Sequence, residues 1–166
     1  MTTFIYPGSF DPFTKGHLDI AVRAARLCDK LHIVVVHNSQ KKSAFSPAER
    51  CALIEACIAD YPNILVRAHS GLVVDYYSRC GAQAAVRGMR TAEDFVDEAR
   101  QVMANRLIEP DYEVLWLPCR PEMTYNSSTI VKELAAYGAA IDDLVPAAIC
   151  EQVQERLAPA NKEQSK

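Results

Sequence analysis

Short runs of β-branched and aliphatic residues alternate along the chain with longer stretches whose apolar positions recur every three or four residues. The short runs predict strands at 3–6, 31–37, 63–67, 84–87 and 113–117. The longer stretches predict helices over about 17–29, 47–60, 72–80, 92–108, 127–137 and 146–157. Strand 31–37 is apolar toward both faces, as expected of a central strand covered on either side. Local stop and start signals agree with this division. Ser46-Pro-Ala-Glu49 reads as a capping box with proline at the first helical position. Gly81 and Gly138 fall where helix C-caps belong, and Pro110-Asp111 closes the long fourth helix.

Regular alternation of strand and helix implies βαβ units with right-handed crossovers. The expected fold is α/β: a single-domain, Rossmann-like, doubly wound five-stranded parallel sheet with flanking helices. The domain should span residues 1–157, and 158–166 reads as a polar, unpatterned tail. A length of 166 residues suits one domain with a real core. The net charge of −3 argues against an extended nucleic-acid footprint, which needs a basic excess or stripe. Six cysteines are scattered without a C-x-x-C pair, so they read as reduced, small, buried hydrophobes rather than zinc ligands or a disulfide framework. Pro7, Gly8 and Asp11 interrupt any signal-peptide pattern, and the run at Ile33–Val36 is far too short to span a bilayer. The chain is expected to be cytoplasmic and to have no membrane partner.

Ligands of open α/β sheets bind beyond the carboxyl ends of the strands, near the switch in strand order. The unusual chemistry of this chain collects at those ends. After the first strand, Tyr6-Pro-Gly-Ser-Phe-Asp-Pro reads as a Pro/Gly turn that delivers Thr14-Lys-Gly-His17 to a helix start. Helix N-termini present unpaired N–H groups and the positive end of a dipole, so they suit phosphate. A histidine there can donate to a phosphate oxygen as charge builds on it. Lys41-Lys42 leaves the second strand, and Lys41 is the better placed of the two to reach an attacking phosphate. Arg87-Gly-Met-Arg90 follows the fourth strand, and arginine's planar fork matches phosphate oxygens. Glu98, on the next helix, can orient a ribose or an arginine. Asn126-Ser-Ser-Thr129 opens a helix with more hydroxyls than capping alone requires. His32 and His69 lack such surroundings and read as structural or exposed, and His37 borders the site. Neither a nucleophile with an adjacent base nor a Walker lysine loop is present. One histidine, several cations and a rack of N–H and O–H donors suit direct reaction of two substrates at a phosphorus atom.

These motifs together, with Lys132 and Asp94-Phe95…Glu98…Asn105, closely resemble bacterial phosphopantetheine adenylyltransferases from Thr3 to about Leu157. Thr14-x-Gly-His17 alone would indicate only the wider nucleotidyltransferase superfamily. The resemblance implies transfer of AMP from ATP to 4′-phosphopantetheine, giving dephospho-coenzyme A and pyrophosphate, with magnesium and without a covalent enzyme intermediate. It implies catalytic roles for His17, Lys41 and Arg90. ATP would be contacted by Ser9, Phe10, His17, Gly88, Met89, Arg90, Glu98 and the segment Met123, Thr124, Tyr125, Asn126, Ser127, Ser128 and Thr129. Phosphopantetheine would be held by Ser9, Lys41, Val73 and Arg87. No protein ligand for a metal is implied. The resemblance also implies a homohexamer, with dephospho-coenzyme A or coenzyme A as product or feedback ligand. The chain departs from the family at Asn126, where a β-branched apolar residue is usual, and at Met123-Thr-Tyr125, both beside the adenine pocket. The alternatives are another nucleotidyltransferase acting on a nicotinate, flavin or glycerol phosphate, or a non-catalytic adenine-nucleotide sensor.

Overall fold

The computed structural model describes residues 1–36 and 42–159, so His37, Lys41 and the tail beyond Pro159 lie outside the described residues. Its five strands are β1 (Thr3–Gly8), β2 (Lys30–Val36), β3 (Ile64–His69), β4 (Ala84–Met89) and β5 (Val114–Pro118). They form one sheet in the order β3-β2-β1-β4-β5, and every pairing is parallel. The helices are α1 (Lys15–Ala25), α2 (Pro47–Cys57), α3 (Val73–Cys80), α4 (Ala92–Arg106), α5 (Ser128–Ala136) and α6 (Ala147–Leu157).

Side-chain alternation along the strands creates two cores. Phe4, Tyr6, Leu31, Ile33, Val35 and Val86 pack against α1, α2, α5 and α6. Ile5, Val34 and Ala85 point the other way, onto Val74 and Tyr77 of α3 and Val102 of α4. Apolar residues at consecutive positions are thus satisfied on both faces, which is why the central strands carry so few polar side chains.

Element boundaries shift for identifiable reasons. Helix α1 begins at Lys15 because Thr14 is its N-cap, and it ends at Ala25, short of the expected 29. There Asn63 takes over the loose carbonyls, its side-chain amide donating to Ala25 O at 2.7 Å and Cys28 O at 3.4 Å. Helix α4 stops at Arg106, ahead of Pro110, because the N–H groups of Ile108 and Glu109 both turn back to Asn105 O. The capping box at Ser46 and the left-handed Gly81 and Gly138 occur where the sequence places them. The cysteines differ from expectation: all six are free, but none of them is fully buried.

The larger correction concerns Pro7-Gly8, which continues β1 rather than forming a turn. Proline in a central strand removes a ladder donor and is ordinarily excluded. Here β1 pairs with β4 only at Phe4↔Ala84 and Ile5↔Ala85, while its pairing with β2 runs on to Gly8↔Val35. Beyond Ile5 the strands β1 and β4 part, and the Arg87 guanidinium fills the gap by donating to Pro7 O at 2.9 Å. The opening lies where the strand order reverses, the place such sheets use for ligands.

Candidate active site

A cavity of about 340 Å³ occupies this opening. Its walls come from the end of β1 and the following loop, the N-terminus of α1, the end of β4, Glu98 in the middle of α4, Cys119 after β5, and the N-terminus of α5. Two helix N-termini therefore address one space. They approach closely at Gly16, where a Cβ would stand 3.3 Å from Asn126 O. At the head of α5, Ser127 caps Ile130 N–H at 3.2 Å and Ser128 Oγ donates to Pro12 O at 2.7 Å, fixing that end against the first loop.

His17 sits at the third position of α1, and its ring is part of the cap. Thr14 N–H donates to His17 Nδ1 at 3.1 Å, while His17 N–H donates to Thr14 Oγ1 at 3.3 Å. A backbone N–H has only a donor role, so Nδ1 must be the unprotonated nitrogen and Nε2 carries the hydrogen. Phe10 stacks edge-on against the imidazole with centroids 5.2 Å apart, and Phe13 lies 5.7 Å away at a tilt of 31°. Burial among these rings, assisted by the Arg90 charge, lowers the His17 pKa to about 4. The ring is thus a neutral N–H donor at physiological pH.

The sign of this shift gives a stability prediction. The unfolded histidine, near 6.5, takes a proton before the folded one does. Its contribution is complete above pH 6.5 and drains away as pH falls toward 4. Between pH 7 and 4.5 the melting temperature should therefore fall further for the wild type than for His17→Gln. Parallel declines for the two proteins would count against a neutral, desolvated ring.

The cations are oriented by carboxylates from α4. Arg87 Nε lies 3.1 Å from Glu98 and Arg90 Nε 3.4 Å from Asp94, which also accepts from Arg90 N–H at 3.0 Å. Of the two roles open to Glu98 in the sequence, the structure thus displays the contact with an arginine. Asp11 had no assigned role, yet its carboxylate is buried and accepts from Ala44 N–H at 3.0 Å and Phe45 N–H at 2.9 Å, with Lys132 Nζ at 3.4 Å. It therefore ties the chain just after Lys42 to the first loop. Its only sequence signal was the turn motif containing it.

Of the residues singled out in the sequence, Ser9, Phe10, His17, Arg87, Gly88 and Arg90 line the cavity. So do Glu98, Met123, Asn126, Ser127, Ser128 and Thr129. Met89, Thr124 and Tyr125 are adjacent in the chain but are not part of its lining, and Val73 lies at the second core beyond the other sheet face. Lys42 is exposed away from the lining. Tyr6, Pro7, Gly8 and Gly16 of the first motif complete the walls with Ile20 and Cys119; nothing in their local sequence distinguished the last two from packing residues. Asn126 donates to Leu144 O at 3.0 Å, so its amide braces the wall. His32 pairs with Tyr76 Oη and His69 with Leu72 O, both at 2.9 Å, in keeping with structural roles.

The amino-acid sequence is similar to that of known proteins. Residues 5–134 fit the cytidylyltransferase-like family. A phosphopantetheine adenylyltransferase of Alkaliphilus oremlandii is 40% identical over 156 residues, covering 94% of this chain and 99% of the relative. The chain belongs to the phosphopantetheine adenylyltransferase family. Its relative of the same name from Staphylococcus carnosus is 41% identical over 92% of this chain and 94% of its own. Another, from Dictyoglomus thermophilum, is 38% identical over 94% and 95% respectively. In this family member the matched region contains every described residue that lines the cavity. Among the described residues, no helix is long and apolar enough to cross a membrane.

Proposed function

We propose that this chain transfers AMP from ATP to 4′-phosphopantetheine, releasing pyrophosphate and forming dephospho-coenzyme A. The observation that carries this reading is the neutral His17, whose Nε2–H is fixed as a donor where two helix N-termini and two arginines surround one cavity. In the proposed step, the phosphopantetheine phosphate attacks the α-phosphorus of ATP in line. Lys41, outside the described residues, and Arg87 hold the attacking phosphate. His17 and nearby amides stabilise charge as it accumulates on the α-phosphate oxygens, an interaction strongest in the transition state. Arg90 and the Ser127–Thr129 amides and hydroxyls receive the departing pyrophosphate. By the resemblance, Ser9 contacts both reactants with the Phe10 backbone alongside at ATP, Val73, outside the cavity lining, meets the pantetheine arm, and Gly88, Met89, Glu98 and Met123–Asn126 contact ATP.

Magnesium would enter with the triphosphate. Among the described residues, no group of three or more His, Cys, Asp or Glu side chains suits a metal ion, and Glu98 in the cavity wall is already engaged by Arg87. An ion brought in on the triphosphate would take its ligands chiefly from phosphate oxygens and water and would neutralise charge on the leaving group. Self-association to a homohexamer draws support from α4 and the residues after it, where Met103 is 70% and Leu107 88% exposed, beside exposed Val96 and Ile108. Such a stripe is unusual on a free helix. A cytoplasmic location and feedback by coenzyme A belong to the same reading.

The deciding experiment measures pyrophosphate release from ATP with 4′-phosphopantetheine present, omitted, or replaced by nicotinate mononucleotide or glycerol phosphate. Release only with 4′-phosphopantetheine supports the assignment. Release with another acceptor alone points to a different transferase, and ATP binding without any release points to a sensor. Sedimentation of the same preparation tests the hexamer.

A further inference from the structure

Arg50 of α2 is buried to 1% exposure yet has no carboxylate within 4.0 Å among the described residues. Its Nη1 donates to Ser9 O at 2.7 Å, its Nε reaches Ser46 O at 3.4 Å, and its buried Nη2 has no partner among the described residues. Burying an unpaired guanidinium is costly, and an apolar side chain of similar size would fill the space without that cost. Stability alone therefore gives a weak reason for an arginine here. The carbonyl it holds gives a stronger one.

Ser9 and Phe10 line the cavity, whereas Arg50 does not. In a planar trans peptide the C=O and N–H point in opposite directions. With the Ser9 carbonyl turned back toward Arg50, the N–H of the same peptide, that of Phe10, points away from Arg50, and both residues of that peptide line the cavity. No described group accepts a hydrogen bond from it. Phe10 also has φ +49°, a left-handed conformation that a phenylalanine rarely adopts and that persists only where the surroundings enforce it. The Arg50 contact is such an enforcement. The same Phe10 ring stacks on His17, so one residue presents an amide and steadies the catalytic imidazole.

We propose that Arg50 is a positioning residue: it locks the Ser9–Phe10 peptide so that the Phe10 N–H is a preorganised donor to a substrate phosphate. The inference rests on the adenylyl-transfer reading above and adds to it the device that aims one of the donors. It predicts that Arg50 acts on catalysis without touching either substrate.

The test compares wild type, Arg50→Met, Arg50→Lys, and a chain carrying phenyllactic acid at position 10, which replaces the amide N–H by an ester oxygen. Pyrophosphate release gives kcat and KM, and the rise in melting temperature on adding ATP reports binding without turnover. Arg50→Met is expected to lose roughly 10²-fold in kcat/KM, mostly in kcat, as when an oxyanion donor is removed. Arg50→Lys, which can still donate to the Ser9 carbonyl, should recover at least about tenfold of that loss. The ester should lose about as much as Arg50→Met, and combining the two should add little, because both remove the same interaction. Wild-type kcat/KM in Arg50→Met, no recovery in Arg50→Lys, or fully additive losses would each overturn the proposal. If Arg50→Met fails to fold, the ester decides alone: undiminished turnover and an undiminished ATP-induced shift overturn it. A wild-type chain that binds ATP but releases no pyrophosphate sinks the transferase reading, and the ATP-induced shift then tests Arg50 on its own.

Discussion

His17→Ala will lower kcat by at least roughly 10²-fold, with a much smaller change in the KM for ATP. The expectation follows from where the donor sits. Nδ1 is occupied by Thr14 N–H, so the side chain has a single free hydrogen, on Nε2, at the cavity. Burial holds the ring neutral, which keeps that hydrogen a donor without introducing a proton to be transferred. Such a group contributes most when negative charge is greatest, and its loss therefore falls on the chemical step. The substitution also removes half of the capping box of α1, but Thr14 Oγ1 still accepts from residue 17 N–H, so the helix start should survive. Steady-state pyrophosphate release and a melting curve on the same sample check both parts. Turnover within a few-fold of wild type would remove His17 from the mechanism.

Asp11→Ala should be the most damaging single change to stability at the site. It strands two backbone N–H groups, those of Ala44 and Phe45, and leaves Lys132 without its carboxylate. Hydrogen bonds to a charged group contribute about 1.5–3 kcal/mol each, and donors left unpaired on burial add a penalty. A loss of about 3 kcal/mol or more is expected, equivalent to a fall of roughly 6–12 °C in melting temperature at this chain length. Asp11→Asn keeps one acceptor oxygen and should lose less. Because Ala44 and Phe45 lie just after Lys41-Lys42, use of 4′-phosphopantetheine should suffer in the alanine variant even below its melting temperature. Denaturant unfolding of the two variants against wild type gives the ranking, and an Asp11→Ala protein as stable as wild type would show that the anchor is dispensable.

Much of this protein was legible from short-range signals. Strand and helix types follow from apolar spacing, and the helix start at Ser46 follows from capping chemistry between residues three apart, whereas the Thr14 cap that starts α1 two residues ahead of the expected 17 emerged only in the structure. That the motif residues gather at one site was also legible, because it depends on residue type and position at the ends of strands rather than on exact geometry. What escaped was the consequence of long-range contact. Pro7-Gly8 reads as a turn in isolation, since a proline cannot serve a normal central ladder. It becomes strand because β4 has already parted from β1 and Arg87, 80 residues away, takes the carbonyl. Asp11 and Arg50 read as one acid in a turn and one cation on a helix. Their meaning depends on partners 33 to 41 residues distant.

The amino-acid sequence by itself determined the class of fold, the order of its elements and most of the residues that line the cavity, because those rest on local propensity, periodicity and side-chain chemistry. The tertiary structure alone decided the neutral state of His17 and which carbonyl Arg50 grips. Each of these is a matter of desolvation or of direction, and both arise only when distant segments exclude water from one another and fix each other's orientation.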